Sequence, residues 1–272
     1  MDARTARRFH DLVEPIGLIP YRHEGAHDGL VALGLSSYWD GYFAARAAPL
    51  GRPPAEVVDA IFYSFAPGEV ARHVPQVWDR VAPEAARQAR VAGCVGVLRS
   101  ALGDRATTPS TVRAADLLVR AATGAPVAGR PLYAGLRGVP VPAEPVERLW
   151  HAADLLREHR GDGHVAALLT CGVGGTEAHV LWAAGEGTAP RTFGRVHHLP
   201  ARYLDAVIGG LRERGVLDED EGLTDAGRAL RERVERLTDE LACPPYAVLT
   251  GAERAELLGL LPPIAAAVDR AR

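Results

Sequence analysis

Apolar residues recur every three to four positions through most of this chain, and this helical spacing constrains the fold more than any other sequence feature. No segment before residue 190 alternates apolar and polar residues as a half-buried strand does, so this part predicts helices. Prolines and glycines divide the pattern into separate helices. The predicted helices cover 2–14, 30–48, 55–64, 68–78, 83–102, 109–123, 146–159, 165–170 and 175–184.

The longest stretch without helical spacing is 124–145, GAPVAGRPLYAGLRGVPVPAEP. Irregular segments of this length inside a compact protein are usually functional or connect larger units. We therefore interpret it as a linker or as a lid over a site.

Composition excludes several classes of chemistry. All 31 basic residues are arginine, so a Schiff-base lysine and a Walker-type phosphate loop are excluded. The three cysteines, Cys94, Cys171 and Cys243, form no CxxC pair, which argues against a thiolate zinc site. The formal net charge is −3, so no overall positive field indicates nucleic-acid binding.

Location follows from what the sequence lacks. No apolar run approaches the roughly 18 residues that a membrane span needs. The first residues, MDARTARRFHDLVEPIG, do not contain the apolar core of a signal peptide. We expect a cytoplasmic protein that does not contact a membrane.

The segment 200–241 has a pattern of its own. Pro200 precedes an apolar stripe, Gly215 marks a helix end, and Thr224 is placed to cap a second helix. Between the two helices, Val-Leu, an acidic turn and Leu-Thr predict a small two-stranded wing. The stripe of the first helix consists of Leu204, Val207, Ile208 and Leu211, and the second helix buries Leu230, Val234 and Leu237.

This order of elements resembles the winged helix of MarR-type regulators over residues 191–241. The whole chain is also similar to a family of actinobacterial proteins of this length, through the stretches GYFAARAAPLG, LWHAADLLREHRGDGHVAAL and LTDAGRALRERVE. The resemblance implies a ligand-responsive transcription regulator, in which Arg202, Arg212 and Arg214 would face DNA. It implies no enzymatic activity.

The wing departs from that pattern because its residues 218–221 are Asp-Glu-Asp-Glu. DNA binding depends on the neutralisation of phosphates by basic side chains, so four carboxylates at this place would be repelled. We therefore expect a small-molecule ligand rather than a nucleic acid as the main partner.

The segment 150–182 contains the densest set of chemically active side chains. In the EHRGDGH stretch, 158–164, two glycines predict a tight turn. Glu158 and His164 are the candidate general acid and base of an enzyme. His151, His159 and His179 are candidate ligands for a metal such as zinc or iron. The sequence contains no nucleotide-binding motif.

A second interpretation of the same stretch needs no site. Arg157 and Arg160 could pair with outward-facing Glu158 and His159, and Asp162 could cap a helix that begins at Gly163. The spacing matches no established metal-ligand motif such as HExxH, so both interpretations stay open.

A cluster of aromatic residues precedes this region in sequence. Its members could form a stacking pocket for a flat ligand, or they could belong to an aromatic core. They are Tyr38, Trp39, Tyr42, Phe43, Phe62, Tyr63 and Phe65, and of these Trp39, Tyr42 and Tyr63 are the candidate substrate-binding residues. Arg46 lies one helical turn beyond Tyr42, where it could bind an acidic group of a substrate.

Together these patterns predict a mainly α protein with three parts. Residues 1–190 would form a helical ligand-binding body, 191–241 a winged helix, and 242–272 a C-terminal helix, which could lie at a homodimer interface. The predicted function is binding of a small molecule near the EHRGDGH stretch, either by a metal-dependent or acid/base enzyme or by the regulator described above.

Overall fold

A computed structural model describes residues 1–271. This part of the chain is built from helices, and its β structure is a single antiparallel bridge between Leu217 and Leu223. The α-helices, numbered α1 to α15 in chain order, are Ala3–Gly17, Ile19–Arg22, Asp28–Ala32, Tyr38–Ala47, Ala55–Phe62, Val77–Arg80, Pro83–Leu102, Pro109–Gly124, Pro131–Arg137, Pro145–Thr170, Gly175–Gly185, Ala201–Glu213, Asp225–Leu241, Pro244–Ala247 and Gly251–Arg270.

Local sequence accounts for where many helices begin. The Thr224 hydroxyl accepts a hydrogen bond from the Gly227 N–H, and this bond caps α13. Thr250 and Glu253 form a capping box at the start of α15. Prolines occupy the first turn of α7, α8, α9 and α10, where a missing N–H costs no hydrogen bond.

The predicted turn in EHRGDGH is wrong, because these residues lie inside the 26-residue helix α10. Gly163 does not end the helix; it leaves space for another side chain. A Cβ at this position would lie 2.1 Å from Nη1 of Arg130, which donates a hydrogen bond to the carbonyl of His159. The absence of a side chain at Gly163 thus allows Arg130, which directly precedes α9, to approach α10. The expectation that Asp162 caps a new helix at Gly163 is wrong for the same reason.

Other helix boundaries also differ from the predictions. The helix predicted over 30–48 is divided into α3 and α4, and 68–78 contains only a 3₁₀ turn and the four-residue α6. The stretch 124–145 is not wholly irregular, because it contains α9. The C-terminal helix is two helices, α14 and α15.

Buried side chains form three apolar clusters. The largest joins α1, α7, α8, α15 and the first half of α10. The second surrounds α4 and α5, with Phe43 and Phe62 stacked at 6.0 Å between ring centroids. The third joins α11, α12 and α13 to Ala167 and Leu168 near the end of α10. Helix α10 therefore contributes to both the first and the third cluster.

The structure does not support the predicted two-stranded wing. Within residues 1–271 its place is taken by the single Leu217–Leu223 bridge around a turn in which Asp218 accepts hydrogen bonds from the N–H groups of Asp220 and Gly222. These bonds form a compact Asx-type turn, which leaves too few residues for a strand ladder.

No single described helix combines the length and apolarity needed to cross a membrane. Helices α10 and α11 meet those criteria only as a pair, and the pair is bent by 95°.

Candidate ligand cavity

A cavity of about 350 Å³ lies between α4, α5, α10 and the segment that precedes α12. Aromatic side chains of α4 and of residues 62–65 form one wall, and residues 157–165 of α10 form another. His179 of α11 and Arg195 complete the lining. A volume in this range is ordinary for a small-molecule site.

Arg46 crosses from α4 to α10 at the base of this cavity. Its Nε and Nη2 atoms donate to the two carboxylate oxygens of Glu158 at 3.1 and 2.8 Å, and Nη1 donates to the Tyr42 hydroxyl at 2.7 Å. The guanidinium also lies over the Phe62 ring, 4.2 Å from its centroid. The two-pronged ion pair fixes the orientation of Arg46.

Glu158 is almost fully buried and also accepts a 2.9 Å hydrogen bond from Nη1 of Arg157. Burial alone would raise the pKa of this carboxyl, but Arg46 and Arg157 hold the pKa at about 2. Near neutral pH this carboxylate is therefore ionised, and both of its oxygens accept hydrogen bonds from arginine side chains. This geometry does not fit the general-acid role expected for Glu158; it fits an anchor for two arginines.

Arg195 reaches the cavity from the segment between α11 and α12. Its guanidinium lies 4.2 Å from the Phe65 ring centroid and 5.2 Å from that of Trp39. Its hydrogen bonds, to the Ser64 carbonyl and to Glu69, measure 3.3 to 3.5 Å, which is long for charged partners. Arg195 is thus stacked firmly but hydrogen-bonded weakly.

Among residues 1–271, Asp162 is the one residue whose carboxyl group lines the cavity. One of its oxygens accepts the N–H of Tyr133 in the first turn of α9 at 3.0 Å. Burial raises the pKa of Asp162 to about 6, although this hydrogen bond and the charges of Arg46 and Arg130 oppose the shift. The cavity therefore contains a carboxyl group that exchanges its proton near physiological pH.

Two histidines line the cavity in neutral form. Burial lowers the pKa of His164, and burial together with Arg195 lowers that of His179 to about 4. The Thr238 hydroxyl donates to the Val234 carbonyl, so it must accept from Nδ1–H of His164 at 2.9 Å. This bond sets the tautomer and leaves Nε2 of His164 as an acceptor.

The structure brings several of the predicted site residues together. Trp39, Tyr42, Arg46, His164 and His179 all line the cavity. Their roles in binding or catalysis stay predictions. The rings of Trp39 and Tyr42 line the cavity and also pack on the second apolar cluster. The two alternatives for these rings, a pocket and an aromatic core, therefore do not exclude each other.

Tyr63 does not line the cavity. Its hydroxyl donates to the Val173 carbonyl at 2.7 Å, and its φ of 58° is rare for a residue other than glycine. This conformation ends α5 and brings the Tyr63 carbonyl close to Gly175, where an added Cβ would lie 1.9 Å from the carbonyl oxygen. Tyr63 thus connects α5 to the start of α11.

The structure does not bring the three predicted metal ligands, His151, His159 and His179, together. His159 packs edge-on against the Tyr133 ring at 5.0 Å, His151 is buried elsewhere on α10, and His179 donates Nε2–H to the Ser64 carbonyl. Within residues 1–271, no group of three or more His, Cys, Asp or Glu side chains could hold a metal ion. The sequence had suggested zinc or iron only because histidines are frequent in this region.

The arginines expected to face DNA have different surroundings. Arg212 donates to the carbonyls of Asp218 and Glu219, and Arg214 donates to the Gly172 carbonyl and the Glu177 carboxylate. Both guanidiniums therefore hold the fold together. Arg202 lies exposed on α12.

Sequence reasoning missed two charged cavity residues as site candidates, Arg157 and Arg195. Phe62 and Phe65 were visible as neighbours of Tyr63, whereas Arg195 lies in a segment without periodicity, which gives no sequence signal for its position.

Comparison with known proteins gives one result. The chain matches the model of a helix-turn-helix family over residues 6–272. No curated protein and no solved structure matches it. Because the match covers nearly the whole chain, this protein belongs to that helix-turn-helix family.

Proposed function

We propose that this protein binds a small organic molecule in the cavity between its helical body, residues 1–190, and residues 191–241, which we take to be its helix-turn-helix segment. The observation that carries the proposal is the position of Arg46, a partly buried guanidinium that two hydrogen bonds to Glu158 hold against the aromatic wall of the cavity. Pre-positioned polar groups in a largely aromatic cavity are typical of ligand sites.

The segment before α12 contributes to the same cavity through Arg195, whose neighbour Val196 is buried in the cluster that contains α12. A bound molecule would therefore contact both parts of the chain. This arrangement supports a ligand-responsive protein, and the helix-turn-helix family is consistent with it.

Binding can be tested with two flat probes, 2-naphthoate and 2-naphthamide, by isothermal titration calorimetry. Val165 lines the cavity and Leu169, one turn further along α10, is 61% exposed. We expect at least one probe to bind, Val165→Trp to abolish that binding by filling the cavity, and Leu169→Trp to retain it. Failure of both probes to bind, or equal binding by the two variants, would refute the proposal.

DNA binding by the helix-turn-helix segment is the second candidate. Family membership favours it, and the finer resemblance to MarR-type winged helices and to actinobacterial proteins belongs to this proposal. Two features weigh against it. The guanidiniums of Arg212 and Arg214 are already hydrogen-bonded within the protein, and the turn 218–221 is acidic.

A gel-shift titration with the DNA upstream of the protein's own gene tests this candidate. Specific binding that weakens between 50 and 200 mM salt, and that Arg202→Ala reduces, would support it. Binding that is undetectable at 50 mM salt would exclude it.

A further inference from the structure

We infer that the ligand of this cavity is a flat organic anion, a carboxylate rather than a neutral or cationic molecule. The inference rests on the proposed function and names the class of molecule that the cavity takes. Three observations support it: the charges that face the cavity, the unused donors of its arginines, and the arrangement of its rings.

In the part of the chain that the structure describes, three arginines and one carboxylic acid, Asp162, line the cavity. The carboxylates that pair with the guanidiniums are not part of the lining. Glu158 serves both Arg46 and Arg157, and Glu69 pairs with Arg195. A molecule in the cavity therefore meets mainly positive groups, which favour an anion.

These arginines also have N–H groups to offer. Arg46 uses three of its five N–H groups on Glu158 and Tyr42. The bonds of Arg195 to Glu69 are 3.4 and 3.5 Å long, so a ligand carboxylate at normal distance would make stronger ones.

The rings of the wall favour a flat molecule. Tyr42 meets Phe62 and Trp39 meets Phe65 edge to face, at 5.9 and 5.8 Å between centroids. Arg46 lies over the Phe62 ring, and Arg195 lies over the Phe65 and Trp39 rings, so a planar group would stack on these layers of guanidinium and ring. The half-exposed Tyr38 extends this wall towards solvent.

The test compares three probes of one shape and different charge: 2-naphthoate, 2-naphthamide and 2-(aminomethyl)naphthalene. We expect naphthoate to bind at least about tenfold more tightly than the amide, as charge-assisted hydrogen bonds predict, and the amine to bind most weakly. The measurement is calorimetry at pH 7 and low salt.

Two matched variants test whether Arg195 binds the carboxylate of naphthoate. Arg195→Gln should weaken naphthoate binding by about tenfold and change naphthamide binding less than about twofold. Arg191→Gln is the control, because Arg191 pairs with Asp205 and Glu221 outside the cavity.

Equal affinities for the three probes would overturn the inference while leaving the proposed function intact. So would an Arg195→Gln variant that weakens naphthoate and naphthamide equally. If none of the probes binds, the proposed function itself fails.

Discussion

Arg46 and Glu158 form a two-pronged ion pair that joins α4 to α10, with their hydrogen bonds at 3.1 and 2.8 Å and the carboxylate almost fully buried. Removing one partner of a buried pair leaves the other charge without compensation in a region of low dielectric constant. This pair therefore decides both the shape of the cavity base and a large part of the stability of the region around it.

Replacing Glu158 by glutamine should lower the free energy of unfolding by about 3–5 kcal/mol, because Arg46 and Arg157 lose their shared carboxylate. Urea denaturation at pH 7 measures the change. Glu256→Gln is the control: Glu256 pairs with Arg113 on the surface, and its loss should leave the midpoint unchanged. Equal effects of the two substitutions would contradict a special role for the buried pair.

The same ion pair sets part of the acid stability. The pKa of Glu158 is lowered to about 2 in the folded protein, so the folded state binds fewer protons than the unfolded state between pH 2 and about 4.5. Its contribution should be complete above pH 5 and be lost as the pH falls towards 2. Denaturation of the wild type and of Glu158→Gln across this range should show the two stabilities converging at low pH.

Gly175 should not tolerate alanine, because the added Cβ would lie 1.9 Å from the carbonyl oxygen of Tyr63. We expect Gly175→Ala to lower the melting temperature through a backbone shift that costs about 1–3 kcal/mol. Gly209, inside α12, is the matched control, because an added Cβ there would have no atom within 4 Å. Gly209→Ala should be neutral or stabilise by up to about 1 kcal/mol, because alanine favours helix.

Binding of 2-naphthoate should strengthen as the pH falls from 8 to 6. Asp162 has a pKa of about 6, and a nearby anion raises it further, so binding above pH 6 takes up a proton. The groups that face this carboxyl are Arg46, Arg130, Glu158 and the N–H of Tyr133. Naphthoate and the arginines keep their charges across this range.

Asp162→Asn provides the matched variant, because the amide oxygen can still accept the Tyr133 N–H. We expect its affinity for naphthoate to be independent of pH between 6 and 8, and at pH 8 to exceed that of the wild type. Calorimetry in buffers of different ionisation enthalpy counts the protons. The absence of proton uptake by the wild type would contradict this prediction.

Naphthoate should also slow amide hydrogen exchange in residues 193–213. Arg195 contacts the cavity, and the adjacent Val196 packs with Leu204 and Ile208 of α12 in one apolar cluster. Hydrogen-exchange mass spectrometry with and without the probe measures the effect, with α15 as the internal reference. Unchanged exchange in 193–213 at saturating naphthoate would show that α12 does not sense the cavity.

The helices were predicted most accurately where the apolar periodicity continues over many residues and capping residues mark the helix ends. The helix over 83–102 was predicted with the bounds that the structure has, and Thr224 caps α13 as expected. The glycines of EHRGDGH misled the prediction because glycine in sequence looks the same whether it ends a helix or makes room for Arg130.

The cavity was predictable only in part, for a similar reason. Tyr42 and Arg46 lie one turn apart on α4, so their proximity follows from helix geometry. Glu158 was placed in the right region, but its partner lies 112 residues away, so its low pKa could not be foreseen. Long-range partners of this kind follow from tertiary packing, which a single sequence does not encode in a local pattern.

The stacking of Phe9 on Tyr246, with ring centroids 4.2 Å apart and planes 7° from parallel, joins the first helix to α14. Both rings belong to the largest apolar cluster, together with Leu257, Leu261 and Val268 of α15. During synthesis, therefore, part of the apolar face of α1 stays uncovered until Tyr246 and helix α15 have left the ribosome. Truncation by the ribosome anywhere before residue 246 would release a product whose main interior cannot close, and such products are natural targets for chaperones and proteases.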